Sequence, residues 1–210
     1  TGELNDIGEM KASNDNCGES YRAGVELEAA WKPVSWFRWD ANATFSKNRN
    51  KNWTVTLDDY ETVVNLGETH TSFSPEAIFN NIFTFTYKGL QASIQSQYVG
   101  EQYLTNTDFK SYINYNEDGS VDQEVGMMLK DHFTTNINLS YTFGLKKLGI
   151  KEATIGLSLY NVFDAKYDNN GWAVWKFGRK HGQQTGGQMP ITHMPSRLYI
   201  PSLVFFAVAW

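Results

Sequence analysis

The sequence predicts an all-β fold in which an antiparallel sheet forms part of a transmembrane β-barrel. Three observations carry this. Apolar and polar residues alternate with period two over long segments, tight turns alternate with long polar loops, and aromatic rings bracket the apolar runs.

The clearest segment runs from Tyr21 to Trp31. Tyr21, Ala23, Val25, Leu27, Ala29 and Trp31 share one face, and Arg22, Gly24, Glu26 and Glu28 share the other. The next segment sets Phe37, Trp39, Ala41, Ala43 and Phe45 against Arg38, Asp40, Asn42, Thr44 and Ser46. Only Lys32 to Ser35, including Pro33, separates the two, so they read as a hairpin whose proline lies outside the hydrogen-bonded ladder. A second hairpin joins a strand ending in Phe83, Phe85 and Tyr87 to one carrying Leu90, Ala92, Ile94 and Tyr98 through Lys88-Gly89. A third joins His132–Phe143 to Ala153–Phe163 across a Gly144–Glu152 turn. Its apolar face reads Phe133, Ile137, Leu139, Tyr141 and Phe143, then Ile155, Leu157, Leu159 and Phe163. A last strand from about Ser202 to Trp210 brings the count to about seven. The other connections, about Lys47–Ser74, Leu104–Asp131 and Ala165–Arg197, are long and polar. Short turns thus fall at one end of the sheet and large loops at the other, as in outer-membrane barrels.

Alternation also describes a soluble β-sandwich. Strand length favours the membrane, because soluble strands are commonly ~5–6 residues and tilted transmembrane strands need about 9–11. Tyr21 and Trp31 bracket small and aliphatic residues, where rings at the two lipid interfaces are expected. Two segments depart from the pattern. Around Ile78–Ile82 apolar residues fall on both faces and Asn80-Asn81 interrupts them, which a β-bulge would explain. In the last strand both faces are apolar, as in a strand covered on both sides.

Composition narrows the function classes. The chain has 210 residues and a net charge of −5 without runs of like charge, which argues against nucleic acid as a partner. Its mean hydropathy is −0.46 and no apolar stretch approaches ~20 residues, so no transmembrane helix is expected. A barrel remains compatible, since only every second residue faces lipid. Cys17 is the only cysteine, which excludes an internal disulfide or a zinc site of paired cysteines. Thr1 is not an initiator Met and no signal peptide follows it, so further residues are expected upstream.

Three stretches resemble the TonB-dependent outer-membrane receptors: Tyr21-Arg22-Ala23-Gly24-Val25-Glu26-Leu27-Glu28, Tyr98-Val99-Gly100-Glu101-Gln102-Tyr103-Leu104 and Leu159-Tyr160-Asn161-Val162-Phe163-Asp164-Ala165-Lys166-Tyr167. Trp210 matches the terminal aromatic of such barrels, with Trp in place of the more usual Phe, and is grouped with Tyr21 and Trp31 as an interface ring. Asp168-Asn169-Asn170-Gly171-Trp172 resembles receptors of Bacteroides-type bacteria. The resemblance covers nearly the whole chain. It implies a plugged barrel of on the order of 22 strands, of which residues 1–210 are the C-terminal part of the barrel domain, with the plug and the TonB box outside this sequence. It further implies location in the bacterial outer membrane, contact with its lipids, and partnership with TonB through the plug. The ligand would be a scarce nutrient: an iron–siderophore, haem, cobalamin or a glycan. A surface lipoprotein over the loops stays open.

No nucleophile elbow, phosphate loop, His-Glu-x-x-His or dinucleotide fingerprint is present, so a transporter and not an enzyme is expected. Glu26 and Glu28 share a strand face and read as lumen-facing polar residues. The Ala165–Arg197 loop holds the ligand candidates Trp172, Trp175, Arg179 and His181: indoles to stack a flat or greasy ligand and a guanidinium to pair an anion. The alternative is that the tryptophans extend the barrel wall above the membrane. His181 and His193 match no metal-ligand spacing and read as solvated. Asn114-Tyr115-Asn116-Glu117-Asp118-Gly119 with Glu124 nearly spells a calcium loop. It starts on Asn, and Glu124 comes one position early, so a turn at Asp118-Gly119 is preferred and no cofactor is expected. A passive porin-like channel and a soluble sugar-binding β-sandwich exposing Trp172 and Trp175 are the competing functions.

Overall fold

The computed structural model describes residues 18–56, 63–116, 118–145, 150–172, 176–180, 183–188, 192–195 and 202–209. Among them there are sixteen strands and no helix. The strands are β1 (Ser20–Val34), β2 (Phe37–Thr56), β3 (Val63–His70), β4 (Ala77–Tyr87), β5 (Leu90–Val99), β6 (Gln102–Tyr103), β7 (Ser111–Tyr115) and β8 (Val121–Gly126). They continue with β9 (Met128–Leu129), β10 (His132–Leu145), β11 (Ile150–Leu159), β12 (Asp168–Trp172), β13 (Lys176–Lys180), β14 (Gln183–Gln188), β15 (Thr192–Pro195) and β16 (Ser202–Ala209).

One large sheet runs in the order β1-β2-β4-β5-β10-β11-β16, with β3 paired to β2 beside that path. Each neighbour on the path is antiparallel to the last. The fold is therefore the expected antiparallel all-β sheet, and the path has the expected seven strands. The register explains its coherence. Trp31 pairs with Trp39, Trp39 with Phe83, Phe83 with Ile94, Ile94 with Ile137, and Ile137 with Leu159, so one apolar face crosses the sheet without a slip. Rings reinforce it: Phe37 and Phe85 lie 5.2 Å apart, Phe45 and Phe79 5.3 Å, and Phe79 and Tyr98 5.7 Å.

Short turns and long connections alternate as predicted, with shifted boundaries. The first turn is Ser35-Trp36, not Lys32–Ser35. Lys32 and Pro33 sit in an irregularity between the Trp31–Trp39 and Val34–Phe37 pairs, which spares the proline a ladder bond. Lys88 and Gly89 both have positive φ, 44° and 84°, the geometry that matches the twist of a two-residue hairpin. A Cβ on Gly89 would collide with the Thr142 carbonyl. At the third hairpin β10 reaches Leu145 and β11 starts at Ile150, so both strands run into the expected Gly144–Glu152 segment, whose residues 146–149 lie outside the described residues. The expected loop Lys47–Ser74 is in good part a hairpin, since β2 runs on to Thr56 and pairs with β3. From Lys47 to Asn52 both faces of β2 are polar, so the ladder continues where the hydropathy alternation stops.

No bulge occurs at Ile78–Ile82. The β2–β4 and β4–β5 registers are unbroken, Asn81 simply lies in line with Ala41 and Ser96 on the apolar face, and Ile78 and Ile82 lie on the other. The neighbouring hydroxyls of Ser96 and Thr135, both buried, satisfy each other at 3.1 Å. In β16, Leu203, Phe205 and Ala207 align with Leu157, Ile155 and Ala153, while Val204 and Phe206 align with Gly156 and Thr154.

Phe163 does not belong to β11. The strand ends at Leu159, Asn161 turns the chain with φ 49°, and Phe163 is 76% exposed. Asn161 is almost fully buried. Its amide side chain bonds both the N–H and the carbonyl of Ala165, at 2.9 and 3.0 Å, while its backbone N–H reaches Asn136 Oδ1 at 2.9 Å. The Val162 N–H donates to the Thr135 carbonyl, and the Tyr167 ring stacks on His132 at 4.0 Å. The Asn-Val-Phe-Asp…Tyr segment is thus a closed turn clipped to the loop end of β10.

Candidate functional site

The large sheet presents two unlike faces and one elaborated end. On the apolar face Val25, Leu27 and Trp31 are 56–59% exposed, and Phe45, Phe79, Phe83, Leu90, Phe133, Leu139, Tyr141 and Ile155 are exposed as well. Among the described residues nothing packs over them, and the buried hydrophobic residues, Leu104, Met127 and Leu129, all lie in the loop layer. A contiguous apolar face of this extent exceeds what soluble monomers leave open.

The opposite face is polar but uneven. Its first sector, β1 and β2, carries Arg22, Glu26, Glu28, Arg38 and Asp40, with Arg38 and Asp40 in a bidentate pair at 2.6–3.0 Å. A shallow depression of about 450 Å³ there is lined by Glu28, Arg38, Asp40, Asn42 and Asn80 among others. From Asn80 onward the face turns to amides and hydroxyls: Gln95, Gln97, Asn136, Asn138 and Ser140. Asn80 Nδ2 donates to Asn42 Oδ1 at 2.9 Å across the strands. Such a surface hydrogen-bonds to water or to a polar partner.

The loop end is tied together by groups far apart in sequence. His70 Nδ1 lies 2.9 Å from Asp108 Oδ2, and the His70 backbone N–H donates to Asp108 Oδ1 at 2.6 Å. His70 Nε2 lies 3.5 Å from Glu76, whose carboxylate also pairs with Arg49, and the imidazole stacks on Tyr103 at 4.6 Å. Ser72 N–H donates to Asn106 Oδ1, and Phe73 N–H to the Tyr103 carbonyl. The connection after β5 is thereby fastened to the one after β3. No sequence motif marks this cluster, since its members are individually ordinary loop residues. Beside it, the Lys47 ammonium at 3.1 Å holds the Glu68 carboxyl below its usual range.

Tyr21 stands at the edge of this charged layer, donating to Glu68 at 3.3 Å, with Lys47 and Lys51 within 6 Å of its ring. Trp31 lies on the apolar face at the short-turn end, edge-on to Phe37 at 6.4 Å. The ligand candidates fall in two separate ladders. Trp172 of β12 pairs with Thr192 of β15, and Arg179 of β13 pairs with Gln184 of β14. Trp175, His181 and Trp210 lie outside the described residues. The near-calcium segment is the β7–β8 hairpin. Asp118 there is taken up by its own turn, accepting the Ser120 N–H at 2.9 Å and hydroxyl at 2.6 Å, with Gly119 at φ 81°. Among the described residues no three His, Cys, Asp or Glu side chains converge on a metal-sized space.

No family model matches the chain, and no curated protein matches it. Among solved structures it is similar to the ferric yersiniabactin uptake receptor FyuA from Yersinia pestis, at 16% identity and a TM-score of 0.49 over 91% of this chain and 24% of that one. It is also similar to FpvA of P. aeruginosa, in a complex with a heterologous pyoverdine and iron, at 14% identity and a TM-score of 0.46 over 73% of this chain and 17% of that one. The chain spans a quarter or less of the length of these structures.

Proposed function

We propose that this chain is the C-terminal part of the barrel wall of a TonB-dependent receptor in the bacterial outer membrane, a transporter that takes up a scarce nutrient. The observation that carries the reading is the uncovered apolar face. Seven antiparallel strands present Val25, Leu27, Phe83, Ile94, Leu139 and Ile155 outward in one register, with polar residues behind them. Each such side chain gains about 1.5–3 kcal/mol on leaving water, and lipid is the medium that covers a face this broad while leaving the reverse side wet. Tyr21 and Trp31 then sit at the two interfaces. The polar face lines the lumen toward a plug supplied by residues outside this chain, and the strands missing between β1 and β16 close the wall. The motifs around Tyr21, Tyr98 and Asn161 supply the family assignment. Trp172, Trp175, Arg179 and His181 belong to external loops that meet an iron–siderophore, haem, cobalamin or glycan.

The experiment is expression of the full reading frame in its host, followed by membrane fractionation and nutrient-limited growth with and without TonB. The reading expects a polypeptide several-fold heavier than 23.9 kDa, outer-membrane location, migration that changes on heating, and uptake that stops without TonB. A folded monomer that stays in solution without detergent would overturn it. Uptake independent of TonB would replace the receptor with a passive channel.

A further inference from the structure

The three short-turn hairpin ends, residues 32–36, 88–89 and 144–152 including flanking strand residues, contain Lys32, Lys88, Lys146, Lys147 and Lys151 against the single acid Glu152, in a chain whose net charge is −5. The short-turn rim is therefore basic while the rest of the chain is acidic. Lys146 and Lys147 lie outside the described residues, so the geometry rests on the first two hairpins. Their ends are joined: the Trp36 carbonyl accepts the Thr86 N–H at 2.9 Å, and the Trp36 ring stacks on Phe85 at 6.4 Å. Between them lies a groove of about 250 Å³ lined by Trp36, Phe85, Thr86, Tyr87, Leu90 and Ala92. A cation stands beside it: Lys88 Nζ lies 5.1 Å over the ring of Tyr87, one of its lining residues. Turn geometry does not call for that lysine. At φ 44° the low-cost residues are Asn, Asp and Gly.

We propose that this rim binds an anionic phospholipid, with one acyl chain in the Trp36–Leu90 groove and the headgroup phosphate on Lys88. The inference rests on the membrane reading above and adds to it which headgroup charge is selected, and where. A groove that is apolar along its length and flanked by a cation matches a chain attached to a phosphate. An acidic protein segment would satisfy the lysines and leave the groove unfilled. Ammonium groups at a membrane surface favour anionic lipid by roughly fivefold each, less as salt rises.

The test places a photoreactive side chain at the groove, Tyr87→p-benzoylphenylalanine, in the full-length protein. The protein is reconstituted in bilayers of equal phosphatidylglycerol and phosphatidylcholine with matched acyl chains, and adducts on the β4–β5 peptide are weighed by mass spectrometry. The expected result is phosphatidylglycerol enriched about fivefold over phosphatidylcholine. The enrichment should fall toward parity in Lys88→Gln and survive in Lys88→Arg. Equal adducts of the two lipids, or an enrichment that Lys88→Gln leaves unchanged, would overturn the site and leave the membrane reading standing. Adducts to protein in place of lipid would overturn it in favour of a protein partner on this rim. Absence of any lipid adduct at Tyr87 and at a second probe at Ile94 would remove the membrane reading itself.

Discussion

The wall of the sheet and the loop layer above it are stabilised in opposite ways. The wall has long, regular ladders and, among the described residues, no buried core. The loop layer has short ladders and holds the buried apolar side chains Leu104, Met127 and Leu129, together with the Arg49–Glu76–His70–Asp108 cluster. Hydrogen bonds alone contribute modestly to net stability, so the wall depends on whatever covers its apolar face. The loop layer carries its own small core and owes less to the medium.

Core truncation separates the two regions most sharply. Leu129 is 2% exposed, and Leu129→Ala should cost about 2–5 kcal/mol, confined to the loop layer. Hydrogen exchange should quicken across residues 100–131 while heat-modifiable migration of the wall stays the same. If the wall loosens with it, the two regions are one cooperative unit and the contrast fails.

A charge on the wall is the reciprocal test. Leu139→Arg places a guanidinium on the apolar face and should destabilise the protein in bilayers by about 2–4 kcal/mol. Asn138→Arg, one residue away on the polar face, should stay within about 0.5 kcal/mol. Chemical unfolding of both variants in the same lipid checks the difference. Equal effects would mean that the faces are solvated alike, contrary to a lipid-covered wall.

The junction between the regions is the Asn161 turn. Asn161→Ala leaves the part-buried Ala165 N–H and carbonyl without their side-chain partner and should cost about 1–3 kcal/mol. Protease cleavage should appear between residues 161 and 167. Asn161→Asp keeps the acceptor but loses the donor, so its effect should be intermediate; an unaltered digestion pattern in both variants would deny the turn its role.

Legibility in the sequence follows the same division. In the wall, period-two alternation gave both hairpin partners and faces, because one side of each strand is held to be apolar and a slip of one residue would invert it. It failed where that constraint lapses. The stretch of β2 from Lys47 to Asn52 is polar on both faces, so a continuing ladder reads as a loop. Asn81 looked like an interruption because the Ser96–Thr135 hydroxyl pair beside it is visible only across strands. Phe163 looked like the next apolar position because the Asn161 turn depends on Asn136, Thr135 and Ala165 rather than on its own hydropathy. The loop cluster was illegible altogether: His70 and Asp108 are 38 positions apart and meet only because β2, β3 and the connection after β5 converge.

The smallest effect is local and tests how independent the loop layer is of the wall. The Ser120 hydroxyl, and after it the Ser120 N–H, donate to the Asp118 carboxylate and hold its pKa below the usual carboxylate value. A group whose folded pKa is depressed stabilises in its charged form. Its contribution to the β7–β8 turn is therefore present above the ordinary carboxylate range and lost as pH falls through the lowered value. Protection of the Ser120 amide, corrected for its intrinsic exchange rate, should drop over that acidic window, while the β10–β11 ladder stays protected. In Asp118→Asn the carboxamide still accepts but does not titrate, so the drop should vanish. A drop that persists in that variant, or that reaches β10, would mean that acid acts on the wall and the loop layer together.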